Sequence, residues 1–340
     1  MQIIENHFDC YQEQPVQQIR LINDHHVSVS FLTLGAVWYE FLVPSTTGHH
    51  NLLLNFPHSA DYLTNPFYVG MAIGRTAGRL ANGQFESDGQ SFTLPTNENQ
   101  HTLHGGPHGF NQFIWSYTTK QEQDSVSVTF ERLISHLEDG YPGNLSVKIT
   151  YCLDNNNQVT LSFAGVSDAQ TLFNPTSHAY FNLSDSNQIL DQTLQIHAQE
   201  FLELDAQKIP TGQFNNVLAT PFDFTHPQQL GSAITALKNT PEKGIDDLFH
   251  VKPQEDYEIA ILRDPKTKRK IRICSNRNGL VVFTANSFTN QLPFKRGNGQ
   301  PHMGIALEPQ TLPKSPDYQE IQLAANISQQ YCIRYQYSAE

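Results

Sequence analysis

Alternation with a period of two runs through most of this chain, and it restricts the possible folds more than any other property. It is plain in Val126-Ser127-Val128-Thr129-Phe130, in Leu145-Ser146-Val147-Lys148-Ile149-Thr150-Tyr151 and in Val159-Thr160-Leu161-Ser162-Phe163. Successive side chains of a strand point to opposite faces, so such runs put one set on a core and the other toward water. This is the pattern of half-buried antiparallel strands. Leu194-Gln195-Ile196-His197, Glu258-Ile259-Ala260-Ile261-Leu262 and Lys270-Ile271-Arg272-Ile273 repeat it, and the wholly apolar Leu280-Val281-Val282-Phe283 follows. Turn-forming clusters such as Asp154-Asn155-Asn156-Asn157 and Asp264-Pro265-Lys266-Thr267-Lys268 separate the runs. Helical periodicity is confined to a short stretch from Pro227 to Lys238. Many short strands rich in Thr, Val, Tyr and Phe predict an all-β, large antiparallel two-sheet sandwich. No fixed-period repeat points to a propeller.

The 340 residues show no Pro/Ser-rich linker, charge block or change of texture, so a single domain over residues 1–340 is expected. The 33 acidic against 21 basic residues give a formal charge of -12, which opposes binding to a phosphate backbone. Cys10, Cys152, Cys274 and Cys332 are widely spaced and have neither disulfide-framework nor zinc-ribbon spacing. The start, Met1-Gln2-Ile3-Ile4-Glu5-Asn6-His7, has no basic n-region and no apolar h-region. The stretch Val27 to Val43 is interrupted by Ser28, Ser30, Thr33 and Glu40, which suits a strand pair and not a membrane span. A cytoplasmic location with free thiols, away from nucleic acid and membrane, is the expectation.

Two ionisable residues sit within apolar surroundings. His178 lies in Asn174-Pro175-Thr176-Ser177-His178-Ala179-Tyr180-Phe181-Asn182-Leu183, and Glu308 in Gly304-Ile305-Ala306-Leu307-Glu308-Pro309-Gln310. Burying such a group without a partner is costly. An acid and a base of complementary type suggest a proton-transfer pair, although each taken alone reads first as a hydrogen-bonded core histidine or a solvated glutamate. Three further segments keep them company: Gly74-Arg75-Thr76-Ala77-Gly78-Arg79, Leu103-His104-Gly105-Gly106 and Gly244-Ile245-Asp246-Asp247-Leu248-Phe249.

In this order the five segments resemble those of the aldose 1-epimerases, or galactose mutarotases. The likeness extends from Gly35-Ala36 and Val43-Pro44 through Ile209-Pro210-Thr211-Gly212 and Pro221-Phe222-Asp223-Phe224 to Pro316-Asp317 and Tyr331. It implies the galactose mutarotase-like supersandwich and an isomerase that interconverts the α- and β-anomers of free aldoses such as galactose and glucose, with no cofactor. By resemblance, Glu308 is the general base on the anomeric hydroxyl and His178 the general acid at the ring oxygen. Arg79, His104 and Asp246 match sugar-binding positions, with Arg75 and Asp247 as neighbouring alternatives. Gly78 stands where many members have asparagine, and Pro309 where threonine is common, which bears on substrate choice and on how the strand presents the base. Alternatives on the same fold are an epimerase for the reducing end of maltose or for hexose 6-phosphates, and a non-catalytic sugar-binding module. The partner is a small sugar, and the chain is a monomer or homodimer.

Other features carry bland readings. His101, His104 and His108 have ligand-like spacing, but the intervening Gly105, Gly106, Pro107 and Gly109 preclude a regular helix and no nearby Cys or carboxylate completes a set, so no metal is expected. Lys266, Lys268, Arg269, Lys270 and Arg272 read as a solvated hairpin turn. An aromatic platform for the sugar is expected, with Phe181, Tyr180, Phe288 and Phe249 as candidates.

Overall fold

The computed structural model describes residues 1–46, 48–314 and 318–339. Pro316-Asp317, part of the family likeness, lies outside the described residues. The alternating runs fall in strands Ser125–Ile134, Leu145–Asp154 and Gln158–Ser167. In the second of these, Val147, Ile149, Tyr151 and Leu153 are buried while Ser146 and Lys148 are exposed, as the period requires.

These strands belong to a nine-stranded antiparallel sheet. Its order is Ser116–Gln121, Ser125–Ile134, Leu145–Asp154, Gln158–Ser167, Gln329–Ala339, Arg269–Ser275, Glu258–Arg263, Thr193–Ile196 and Gln228–Gln229. The C-terminal strand lies in the middle, between Gln158–Ser167 and Arg269–Ser275, so the last residues close the sheet. A six-stranded antiparallel sheet runs Tyr180–Phe181, Ile305–Gln310, Gly279–Phe283, Asp246–Val251, Ala198–Leu204 and Pro210–Asn216. Gln2–Tyr11, Gln14–Ile22, Ser28–Leu32, Val37–Ser45 and Gly48–Asn51 form a third, five-stranded meander in which Ser28–Leu32 pairs with Val37–Ser45, the strand pair expected there.

All three sheets share one core. Trp38 of the meander meets Phe181 of the six-stranded sheet at a ring-centroid distance of 5.9 Å and Tyr335 of the nine-stranded sheet at 5.1 Å. Such large rings bury much apolar area each, so this junction contributes strongly to holding the layers in register. The predicted helix is Leu230–Leu237, burying Leu230, Ala233, Ile234 and Leu237 at helical spacing. A single helical turn at Ser59–Leu63 had no sequence signal strong enough to predict it.

Two expectations need correction. The basic hairpin is not wholly solvated. Arg269 is buried and donates to Leu183 O and Asp185, and Arg272 pairs with Glu258 and Asp256. Lys266 and Lys268 are exposed as foreseen. Phe181 and Phe249 belong to the main core and Phe288 to a second apolar cluster, so of the four aromatic candidates only Tyr180 borders the cavity described below. All four cysteines are free thiols, and among the described residues no helix is long and apolar enough to cross a membrane.

Candidate active site

The six-stranded sheet has two unlike faces. On Ile305–Gln310, Ile305 and Leu307 enter the core, whereas Glu308 and Gln310 point the other way into a cavity of about 310 Å3. Registry carries the same face across the sheet. Glu308 is opposite Val281, which is opposite Leu248, and the next row runs Ala306, Phe283, Asp246. By alternation Asp246 shares the phase of Leu248 on the cavity face. Asp247 also borders the cavity, and its Oδ2 accepts the Asp246 amide at 3.1 Å.

Pro309 does not interrupt the ladder with Gly279–Phe283. Pairing runs without a shift from Phe283↔Ala306 to Gly279↔Gln310. Tyr180–Phe181, on the other side, pairs only with Ala306 and Ile305, so beyond it no ladder partner requires the amide that proline lacks.

The other walls come from segments distant in sequence. Arg79 pairs with Leu103 in a two-residue ribbon, and the His104 amide continues it by donating to Gly78 O at 3.0 Å. The two motifs are thus zipped together. Gly105 has a φ of +86°, and a Cβ there would lie 1.9 Å from Gly74 O. The glycine is required by packing of the loop on its neighbour. His178 is fixed through its backbone, donating to Met71 O and accepting from Gly70 N. Arg79, His104, His178, Asp246 and Glu308 all line this one cavity. Arg75 does not. It is fully buried and donates to Asp139 at 2.6 Å, to Pro142 O, to Gly143 O and to Thr171. Removing either member of such a pair strands the other, at about 3–5 kcal/mol.

At the cavity floor His178 Nε2 is 3.3 Å from Glu308 Oε1. His178 Nδ1 and Glu308 Oε2 are buried without a hydrogen-bond partner. Burial pushes the Glu308 carboxyl well above its usual range, with a smaller push from Asp246, and lowers His178 to about 4. Both shifts disfavour the charged form of each group. His104 is likewise held well below its usual value, by burial first and then by His178 and Arg79.

Several lining residues escaped the sequence reading. Glu98 binds Arg79 bidentately, with Oε1 2.9 Å from Nη2, and so orients the guanidinium. The Tyr68 ring packs against both His104 and His178. Lys208 reaches in from the hairpin between Ala198–Leu204 and Pro210–Asn216, and Phe283 adds apolar surface. Lys208 directly precedes Ile209-Pro210-Thr211-Gly212, a segment already part of the likeness, and that adjacency was the available signal.

The histidine cluster in 101–108 does not converge. His101 Nδ1 accepts from the Asn82 amide, its Nε2 meets Gln207, and His108 is exposed. A different trio, His104, His178 and Glu308, does bring three ligand atoms within 4.8 Å of one another. Its donor set fits a resident ion poorly, because the Gly78 amide donates to His104 Nδ1 at 3.3 Å and so keeps the proton on Nε2. That tautomer is a hydrogen-bond donor toward the cavity.

The aldose 1-epimerase family matches residues 17–337. A maltose epimerase of Levilactobacillus brevis is 39% identical, over 99% of this chain and 99% of that protein. An aldose 1-epimerase of Streptococcus thermophilus is 38% identical over 95% and 94%. Among solved structures, galactose 1-epimerase from Lactobacillus acidophilus superposes with a TM-score of 0.88 at 26% identity, covering 99% of both chains. With a family match from near one end to the other and relatives of this identity over nearly the full length, the chain belongs to the aldose 1-epimerase family of isomerases.

Proposed function

We propose that the chain, acting as one domain, interconverts the α- and β-anomers of free aldoses such as galactose and glucose, with Glu308 and His178 as the proton-transfer pair. The observation that carries this reading is the 3.3 Å approach of His178 Nε2 to Glu308 Oε1 in one cavity, each group retaining an unsatisfied polar atom. Glu308 as carboxylate takes the anomeric hydroxyl proton while the ring C–O bond breaks, and its electron pair passes to the ring oxygen, which His178 protonates. The aldehyde turns about the bond to C2. On closure His178 takes the proton back from the attacking hydroxyl and Glu308 returns its own to the carbonyl oxygen. The ion pair this needs differs from the neutral pair only in proton position, and the ring hydroxyls provide hydrogen bonds that favour it. Arg79, His104 as an Nε2–H donor, and Asp246 hold ring hydroxyls.

Charge within the cavity supports a neutral sugar. The two cations among its described lining residues are each paired with a carboxylate, Arg79 with Glu98 and Lys208 with Glu242, so the positive charge a phosphate would need is already neutralised while ammonium donors remain for a neutral hydroxyl. An acid and base facing one bond have no task in a mere binding module. The free thiols support a reducing, cytoplasmic setting.

Polarimetry of freshly dissolved α-galactose, α-glucose and maltose tests the reading. The protein should hasten equilibration of at least one, and exhaustive chelation followed by dialysis should leave that rate unchanged, because proton transfer alone suffices. Equilibration of all three at the spontaneous rate would sink the epimerase assignment. Loss on chelation restored by stoichiometric zinc would overturn the role given to His104.

A pH profile tests the proton bookkeeping. Because burial lowers His178 to about 4, the inactive two-proton state forms only as pH falls toward that value. The steep acid limb of kcat/KM should therefore centre near pH 4. Asp247, pushed up to about 6 mainly by burial, should add at most a shallow inflection there. A steep limb at the ordinary imidazole value near 6.5 would show that His178 titrates freely.

A further inference from the structure

We propose that Lys208 is a substrate-contacting, specificity-determining residue whose ammonium acts with the Asp246 carboxylate as a two-sided clamp on a single sugar hydroxyl. The inference rests on the epimerase reading.

Lys208 Nζ is 2.6 Å from Glu242 Oε1 but 3.8 Å from Asp246 Oδ2. The second separation is too long for a direct hydrogen bond, yet one oxygen can lie about 2.8 Å from both atoms. A hydroxyl suits that place, since it donates to a carboxylate and accepts from an ammonium at once. The Glu242 contact occupies one of the three ammonium donors, and both Lys208 and Asp246 line the cavity.

The hairpin tip presents this side chain in a fixed way. Asp205 accepts the amides of Gln207 at 2.8 Å and Ile209 at 2.9 Å, and the Lys208 amide donates to Asp205 O at 3.0 Å. Lys208 itself has a φ of 64°, a conformation lysine adopts only when its surroundings impose it. Gln207 Oε1 then takes hydrogen bonds from Gln100 at 3.2 Å and His101 at 2.8 Å, which ties the tip to the loop leading to His104. Glu242 fixes the ammonium from the other side. The lysine is a held group, unlike a surface lysine free to swing.

Position sets the consequence. The Asp246 strand is two strands from that of Glu308, about 10 Å away across the sheet. The clamped hydroxyl is therefore remote from the reacting carbon and is gripped before and after ring opening alike. Such a contact acts on KM and leaves kcat alone. Because two groups must reach one oxygen, inversion at that carbon takes the hydroxyl out of the clamp, and this makes the pair selective among epimeric sugars.

The test compares wild type, Lys208→Met, Asp246→Asn and Glu242→Gln on galactose and its 2-, 3-, 4- and 6-deoxy derivatives. Lys208→Met should raise KM for galactose about tenfold, as expected for a lost charged hydrogen bond, with kcat within about twofold. For one deoxy sugar Lys208→Met should leave KM unchanged, and Asp246→Asn should leave KM unchanged for that same sugar. Glu242→Gln, which keeps the ammonium, should preserve this pattern and so excludes a merely structural origin. An equal KM rise for every deoxy sugar, an unchanged KM for galactose, or different silent sugars for the two substitutions would overturn the clamp. Failure of the wild type to speed anomerisation of any of galactose, glucose and maltose is a separate outcome, which overturns the epimerase reading and the clamp together.

Discussion

Glu308→Gln should lower kcat by ~10² to 10⁴-fold while leaving sugar binding within a few-fold, since a positioned acid or base typically contributes that much. The amide keeps the shape of the side chain but cannot take the anomeric proton. The fold should not suffer. Glu308 is 1% exposed, its Oε2 lacks a partner, and burial already drives its carboxyl toward the neutral form. A neutral amide removes the cost of an ionisable group there, so the melting temperature at neutral pH should equal or exceed that of the wild type. Stability given up for a reactive group is the expected signature of a catalytic residue. Near-normal turnover by the variant would assign the base to another group. A large fall in melting temperature with turnover per folded molecule preserved would make Glu308 structural.

His178→Asn should depress kcat by about 10² to 10³-fold with a much smaller change in KM, because proton delivery to the ring oxygen matters most in the transition state. Backbone anchoring by Gly70 and Met71 should keep the segment in place when the imidazole is lost. The steep limb near pH 4 should disappear with the group that causes it. Combining this change with Glu308→Gln should cost little beyond the worse single change, since an acid and a base that act in the same step work as a unit. Fully multiplicative losses would contradict that coupling. A raised KM at unchanged kcat would make His178 a binding residue.

These two residues also show how far the sequence could be read. An ionisable side chain amid Ala, Leu, Ile and Phe is visible as an anomaly, because apolar context and burial are properties of the chain itself. That two such anomalies lie 3.3 Å apart is not visible. They are 130 residues apart in sequence, and pairing of Tyr180–Phe181 with Ile305–Gln310, with the hydrogen bond from Thr176 to Pro309 O, brings them together. Family likeness supplied their roles where physical reading stopped at a possible pair.

Local periodicity determined the strands, the strand pair between Val27 and Val43 and the one substantial helix, since these depend on side-chain spacing along a single segment. Tertiary structure decided what depends on registry between segments. It put Asp246 on the cavity face, sent Arg75 to Asp139, paired Arg79 with Glu98, and brought Lys208 to Asp246 through a hairpin whose tip is tied to a distant loop. It also moved Arg269 from an expected solvated turn into a buried contact with Leu183 and Asp185. The physical reason is that composition and period say which side chains leave water, whereas the partner each meets depends on which strands are adjacent and in what register, and a one-residue shift would turn every side chain to the opposite face.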